Sequence, residues 1–298
     1  MPIRIATAPV SWGVMEVEAW ERKQTCAEVL DEMAQTGYAG TELGPYGFLP
    51  TEPGPLKEEL VKRNMALVGA FVPLSLADPS CHEAGFETAM ATARLLAAAG
   101  APCLVLADAM YPGRMAIAGS VTEQDGLSAA QWTAAAKLLE RIAREARGMG
   151  LRSVFHHHAG TYVETPAEVD RLLEATDPAL VGLCLDTGHY FYGGGDPVDA
   201  AIRHASRIWH LHLKDIRPEV LAKVRRERIG FLEAVSRGVF CELGAGAVDI
   251  AGVIRELQAR GFDGWAVFEQ DVDPSQPGVE PAKSAARSRE YLRTTAGL

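Results

Sequence analysis

Strand-sized apolar runs alternate with segments of helical periodicity along the whole chain. Ile3–Ala8 reads as a strand, and Thr25–Thr36 as a helix stopped at Gly37. Tyr38–Leu43 and Ala66–Val72 predict the second and third strands, with a helix over Pro55–Arg63 between them. His82–Ala99 is an Ala-rich helix ending at Gly100, and Cys103–Ala107 is a fourth strand. Ser128–Met149 carries a Ser N-cap, apolar positions near every 3.6 residues, and Gly150 as its stop. Leu151–Phe155, Val181–Leu185, the run opening at Ile208-Trp209 and Trp265–Phe268 supply strands five to eight. Pro166–Ala175, Pro197–His204, Asp249–Arg260 and Pro281–Thr294 are the intervening and closing helices, three of them opening on proline. Eight β/α units with no second composition block predict a single (β/α)8 TIM barrel over residues 1–298. A doubly wound sheet would place Gly-x-Gly-x-x-Gly after the first strand, and this chain has none. Arg217–Gly246 is too long for a plain connection. It is expected to be a lid-like insertion after strand seven that carries its own helix over the mouth.

The last four strand runs each end in residues that bind metals or move protons. Leu151–Phe155 runs into His156-His157-His158, and Val181–Leu185 into Asp186-Thr187-Gly188-His189. Ile208-Trp209 leads through His210-Leu211-His212-Leu213 to Lys214-Asp215, and Trp265–Phe268 runs into Glu269. Residues just past the ends of neighbouring barrel strands share one rim and converge there. His156, Asp186, His212 and Glu269 then offer two imidazoles and two carboxylates. That mixed set suits a first-row divalent ion, manganese or cobalt first and zinc, iron or magnesium after them, and suits calcium poorly.

Several motifs carry a family resemblance across essentially the whole chain. They are Ser11-Trp12-Gly13, Gly40-Thr41-Glu42-Leu43-Gly44, the triple His followed by Ala159-Gly160-Thr161, Asp186-Thr187-Gly188-His189, His210-x-His212-x-Lys214-Asp215, and Glu269-Gln270-Asp271 with Asp273-Pro274. The chain resembles the xylose-isomerase-like TIM barrels, and within that superfamily the inosose dehydratase branch. The resemblance implies a lyase that dehydrates a keto-inositol through an enediolate, with ketose isomerisation or epimerisation as the alternative. It places metal ligands on His156, Asp186, His212 and Glu269. Sugar epimerases of this superfamily have glutamate where His156 stands, so His156 favours elimination over proton exchange on two faces. Glu269, His189, Lys214 and His158 are the candidate proton-transfer and charge-pairing groups. Trp12, Glu42, His157 and His210 are the candidate substrate contacts.

Composition narrows the partners. A net charge of −10 gives no basic footprint for nucleic acid, and the Lys223–Arg228 run reads as a solvated helix face. No apolar stretch reaches the roughly 18 residues that span a bilayer. Met1-Pro2-Ile3 lacks a signal-peptide layout, and five scattered cysteines without a Cys-x-x-Cys pair suggest reduced thiols. The expected setting is cytoplasmic, the partner a small polyol or keto-sugar, and a homo-oligomer is compatible with the pattern.

Overall fold

The structure, a computed structural model, describes residues 3–15 and 24–298; Met1 and Pro2 of the leader argument lie outside the described residues. In chain order the elements begin β1 (Arg4–Thr7), α1 (Cys26–Gln35), β2 (Gly40–Glu42), α2 (Pro53–Val61), β3 (Ala66–Gly69) and β4 (Phe71–Leu74). Next come α3 (His82–Ala99), β5 (Cys103–Asp108), α4 (Pro112–Ala116), α5 (Ala129–Gly148), β6 (Arg152–His156), α6 (Pro166–Ala175), β7 (Val181–Asp186), α7 (Thr187–Tyr192) and α8 (Pro197–Arg203). The chain ends with β8 (Ile208–Leu213), β9 (Asp215–Ile216), α9 (Pro218–Glu227), α10 (Phe231–Ser236), β10 (Phe240–Cys241), α11 (Ile250–Ala259), β11 (Trp265–Phe268) and α12 (Pro281–Thr294).

The main sheet runs β3-β2-β1-β11-β8-β7-β6-β5-β4, and among the described residues its strand pairings are all parallel. Its two end strands are consecutive in the chain, broken only at Ala70, whose carbonyl still accepts from the Val105 N–H at 3.0 Å. The expected third strand, Ala66–Val72, is therefore split, and the sheet closes on itself as an eight-unit TIM barrel. Gly69 sits at the break. A methyl group there would lie 3.4 Å from a Glu42 carboxylate oxygen, so the glycine gives that side chain its room.

Two apolar layers hold the barrel. Leu30, Leu96, Ile142, Leu172, Leu213 and Phe268 belong to the large layer between strands and helices. Inside the barrel, Ala6, Val68 and Val267 form one small cluster, and Cys103, Val105, Val154 and Cys184 another. β5 and β7 are buried at every residue, as parallel strands covered on both faces require. Thr25 with Glu28, Ser128 with Gln131 and Thr165 with Glu168 close capping boxes on α1, α5 and α6.

Two local readings change. Ahead of the expected helix over Pro197–His204 the chain makes a further short helix, α7, entered directly with Asp186 as its N-cap. The insertion after strand seven carries two helices rather than one, and its end returns as β10 to pair antiparallel with β9. Among the described residues no helix is long and apolar enough to cross a membrane.

Candidate metal centre and active site

Strand register brings the four expected ligands together. Asp186 pairs with His212 across β7 and β8, and His156 with Cys184 across β6 and β7, while Glu269 follows the last residue of β11. One donor atom from each of His156, Asp186, His212 and Glu269 lies within 4.8 Å of the others, and all four residues are buried. His156 Nε2 is 3.3 Å from Asp186 Oδ2, and His212 Nδ1 is 3.1 Å from Glu269 Oε2.

The surroundings fit a cation. Glu42, Asp186, Glu269 and Asp271 are buried carboxylates set against one buried ammonium, Lys214. Excess negative charge of that kind is costly in an apolar interior without a positive partner. Burial opposes the charge of Asp186, but Lys214 and His189 outweigh it and hold the carboxyl well below its usual range. For Glu269 burial is likewise overcome by His212 and Lys214, and the pKa falls to about 2. Burial disfavours the His212 imidazolium, yet Cys184, Glu269 and Glu42 raise it well above normal, so this pocket favours positive charge. His212 Nδ1 is buried without a hydrogen-bond partner, while its Nε2 donates to Glu42 Oε1 at 3.0 Å. A carboxylate fixing one imidazole nitrogen and freeing the other is the arrangement that orients a metal-binding histidine. These residues fit a divalent ion.

Lys214 links the ligands to a second group. Its Nζ lies 3.2 Å from Glu269 Oε2, 3.5 Å from Asp186 Oδ2, 2.8 Å from Asp271 Oδ1 and 3.0 Å from His189 Nε2. Burial works against the ammonium, and Asp186, Asp271 and Glu269 more than restore it, so it stays charged. His189 is set by α7: its N–H donates to Asp186 Oδ1 at 2.8 Å and its Nδ1 accepts from the Ala159 N–H at 3.3 Å. Gly188 lets α7 lie this close, since a methyl group there would meet the Lys214 stem at 2.8 Å. The His158 ring centroid lies 3.7 Å from that of His189, and its Nδ1–H donates to the Ala159 carbonyl, leaving Nε2 unengaged by that bond. Phe231 of the insertion packs edge-on over His158, and Phe240 over His189.

Four expected substrate contacts turn out differently. Glu42 does not present a free hydroxyl-binding oxygen in Oε1, which accepts from both His210 and His212, at 2.8 and 3.0 Å. It orients His212 instead. His210 points into the barrel at a deeper level and is buried against Glu42, because its alternation with His212 sets it one step lower on the strand. His157 faces away from the cluster: it is buried, its Nε2 accepts from the Asp186 N–H at 3.2 Å, and burial with His156 holds it at about 3. Trp12 belongs to the strand–helix layer, and its indole N–H donates to Glu32 Oε2 at 2.7 Å. Asp271 was missed as a site residue. It lay in the Glu-Gln-Asp motif, but sequence gave no sign that it would reach Lys214.

A second polar group was missed as well. Asp108 accepts from the Leu76 and Tyr162 N–H groups at 3.1 and 2.8 Å, and Glu164 from the Gly119 and Gly160 N–H groups at 2.6 and 2.7 Å. The Arg114 guanidinium reaches the Thr161 carbonyl at 2.7 Å and the Glu168 carboxylate at 3.0 Å. Together they clamp the loop that follows His156.

The chain is similar to known proteins over nearly its whole length. The xylose isomerase-like TIM barrel family matches residues 30–295. An inosose dehydratase of Geobacillus kaustophilus is 35% identical over 98% of this chain and 94% of its own length. The rhizopine catabolism protein MocC of Rhizobium meliloti is 36% identical over 98% and 88%. The solved structure of the IOLI protein with a bound zinc atom shares the fold, with a TM-score of 0.73 at 14% identity, over 99% of this chain and 98% of that one.

Proposed function

The chain belongs to the xylose isomerase-like TIM barrel family, and from that premise we propose that it is a metal-dependent dehydratase of a 2-keto-inositol or a related keto-polyol. The observation that carries the reading is the composition of the cluster, in which Glu269 is joined by an imidazole, His156, where the resemblance to sugar epimerases would call for a second glutamate. Such a one-sided site suits removal of a single proton followed by loss of a hydroxyl. Similarity over nearly the full length to proteins named inosose dehydratase supports the same choice of substrate.

A divalent ion held by His156, Asp186, His212 and Glu269, manganese or cobalt by preference, supplies Lewis-acid polarisation of the substrate ketone. The chain's own groups handle protons and charge. Glu269, ionised at neutral pH, takes the proton from the carbon beside the ketone. Lys214, permanently charged, pairs with the oxygen of the resulting enediolate. Asp271, whose Oδ1 accepts from Lys214 Nζ at 2.8 Å, holds Lys214 in place, with His189 Nε2 3.6 Å from the other oxygen of the same carboxylate. His158, half-buried at the mouth, relays to the departing hydroxyl the proton that Glu269 has taken. Burial and His156 hold His158 near 3, so it is neutral until it receives that proton and a strong acid once it has it. The hydroxyl leaves as water, and the enol left behind tautomerises to a diketone. The setting proposed is the cytoplasm.

The test is direct. Purified protein supplied with manganese or cobalt converts a 2-keto-inositol to a diketone absorbing in the near ultraviolet. Recovery of an epimerised or isomerised ketose with no loss of water would transfer the protein to the epimerase reading.

A further inference from the structure

The burial pattern of β4 alternates, whereas β5 beside it is buried at every residue. Val72 and Leu74 are buried against the helix layer, whereas Phe71 and Pro73 are exposed. Phe71 pairs with Val105 and Pro73 with Ala107, and these pair in turn with Val154 and His156. Residues paired in a parallel ladder share a face. Phe71 and Pro73 therefore face the barrel mouth, on the side of His156. Val105 and Val154 on that face are completely buried, yet Phe71 keeps 38% of its surface. That exposure lies on the strand face that also carries His156. The Phe71 ring meets His156 edge-on, with centroids 5.7 Å apart and an interplanar angle of 80°. An exposed, large aromatic beside a buried polar cluster is the informative exception on a surface.

Small-molecule sites combine apolar walls with a few convergent polar groups. Here the polar groups come from β6, β7, β8 and β11, and the apolar surface from β4 across the mouth. We propose that Phe71, backed by Pro73, is the apolar wall on which the carbon face of a ring polyol rests, and that it sets the preference for a cyclic over an open-chain substrate. The inference rests on the dehydratase reading above for its substrate. A cyclitol chair turns its axial hydrogens outward as a rigid apolar face, which a flexible open-chain ketose does not offer. An aromatic ring meets such a face with large area and little loss of side-chain freedom.

The test uses the metal-loaded enzyme. Phe71→Ala raises KM for the 2-keto-inositol about tenfold with kcat within about twofold, because the contact is made equally in ground and transition states. Its metal content, measured by atomic emission, stays at the wild-type level. Phe71→Tyr, which keeps the ring, holds KM within about twofold. An unchanged KM in Phe71→Ala overturns the proposal, and so does a rise in KM accompanied by loss of metal, which reduces Phe71 to a support for His156. Should Phe71→Ala fail to fold, Phe71→Leu, which keeps bulk without a flat face, decides in the same way. If the wild type dehydrates no inosose, the function reading fails on its own. Calorimetric binding of unreactive myo-inositol then judges the wall: about tenfold weaker binding in the variant supports it, and equal or absent binding overturns it.

Discussion

In the ligand cluster, buried carboxylates face the nitrogens of other side chains; in the clamp on the loop after His156, they face backbone N–H groups. Asp186 and Glu269 look at His156, His212 and Lys214, and His212 Nδ1 and Asp271 Oδ2 are left without hydrogen-bond partners. Asp108 and Glu164 each accept from two backbone amides, and none of their oxygens is orphaned. The electrostatic outcomes diverge accordingly. Cationic neighbours hold Glu269 down at about 2, whereas burial pushes Asp108 and Glu164 up to about 7 against the pull of their amides. Both networks are buried and polar. Only the first has leftover donor atoms aimed at a common point, and that separates a site that binds from a brace that holds.

The largest effect that sharpens this contrast is expected at Glu269. Glu269→Gln loses bound metal and drops kcat/KM by about 10³-fold, and its melting temperature falls because the carboxylate that His212 and Lys214 hold ionised has gone. Full metal occupancy in that variant would remove Glu269 from the ligand set; the same holds for His212→Ala. In the clamp the effect falls on stability alone. Arg114 is almost wholly buried and paired with Glu168, so Arg114→Ala costs about 3–5 kcal/mol in chemical denaturation, and the folded fraction still binds metal. Loss of metal from folded Arg114→Ala protein would merge the two networks into one. Next in size is Glu42→Gln, whose effect passes through His212: metal affinity falls about 10- to 100-fold by competition with a chelator, with stability little changed.

The smallest effect is a pH dependence carried by the clamp. Asp108 and Glu164 bind protons more tightly folded than unfolded, since burial raises both to about 7. Their contribution is full below the unfolded carboxylate range and declines as pH rises from about 4 to 7, by up to about 1.4 kcal/mol per pH unit for each group. Denaturation midpoints across that window should fall less steeply in Asp108→Asn. An identical slope in wild type and variant would show that Asp108 is ionised throughout, in the manner of the ligand cluster.

The fold and the ligand set were largely legible along the chain. Period-two and period-3.6 patterns located the eight β/α units because parallel strands buried on both faces must be apolar at nearly every position. The cluster of His156, Asp186, His212 and Glu269 was readable because each residue stands at or beside a strand end, where chain position and position on the rim coincide. Glu42 and His210 were misread because a polar residue at an inward strand position looks the same whether it meets substrate or another side chain. Asp271, Phe71 and the Asp108–Glu164 clamp gave no local signal, since their partners lie on distant strands and loops.

Sequence alone thus determined the barrel and the four donors, which follow from local periodicity and residue chemistry, and the departure at His156, which follows from the family resemblance. Tertiary structure decided which nitrogen of His212 is free, which carboxylates are tied to backbone, and that Phe71 opens onto the mouth. Those depend on register between strands and on the closing of the sheet at Ala70, where packing across the barrel, rather than any local preference, fixes which atoms meet.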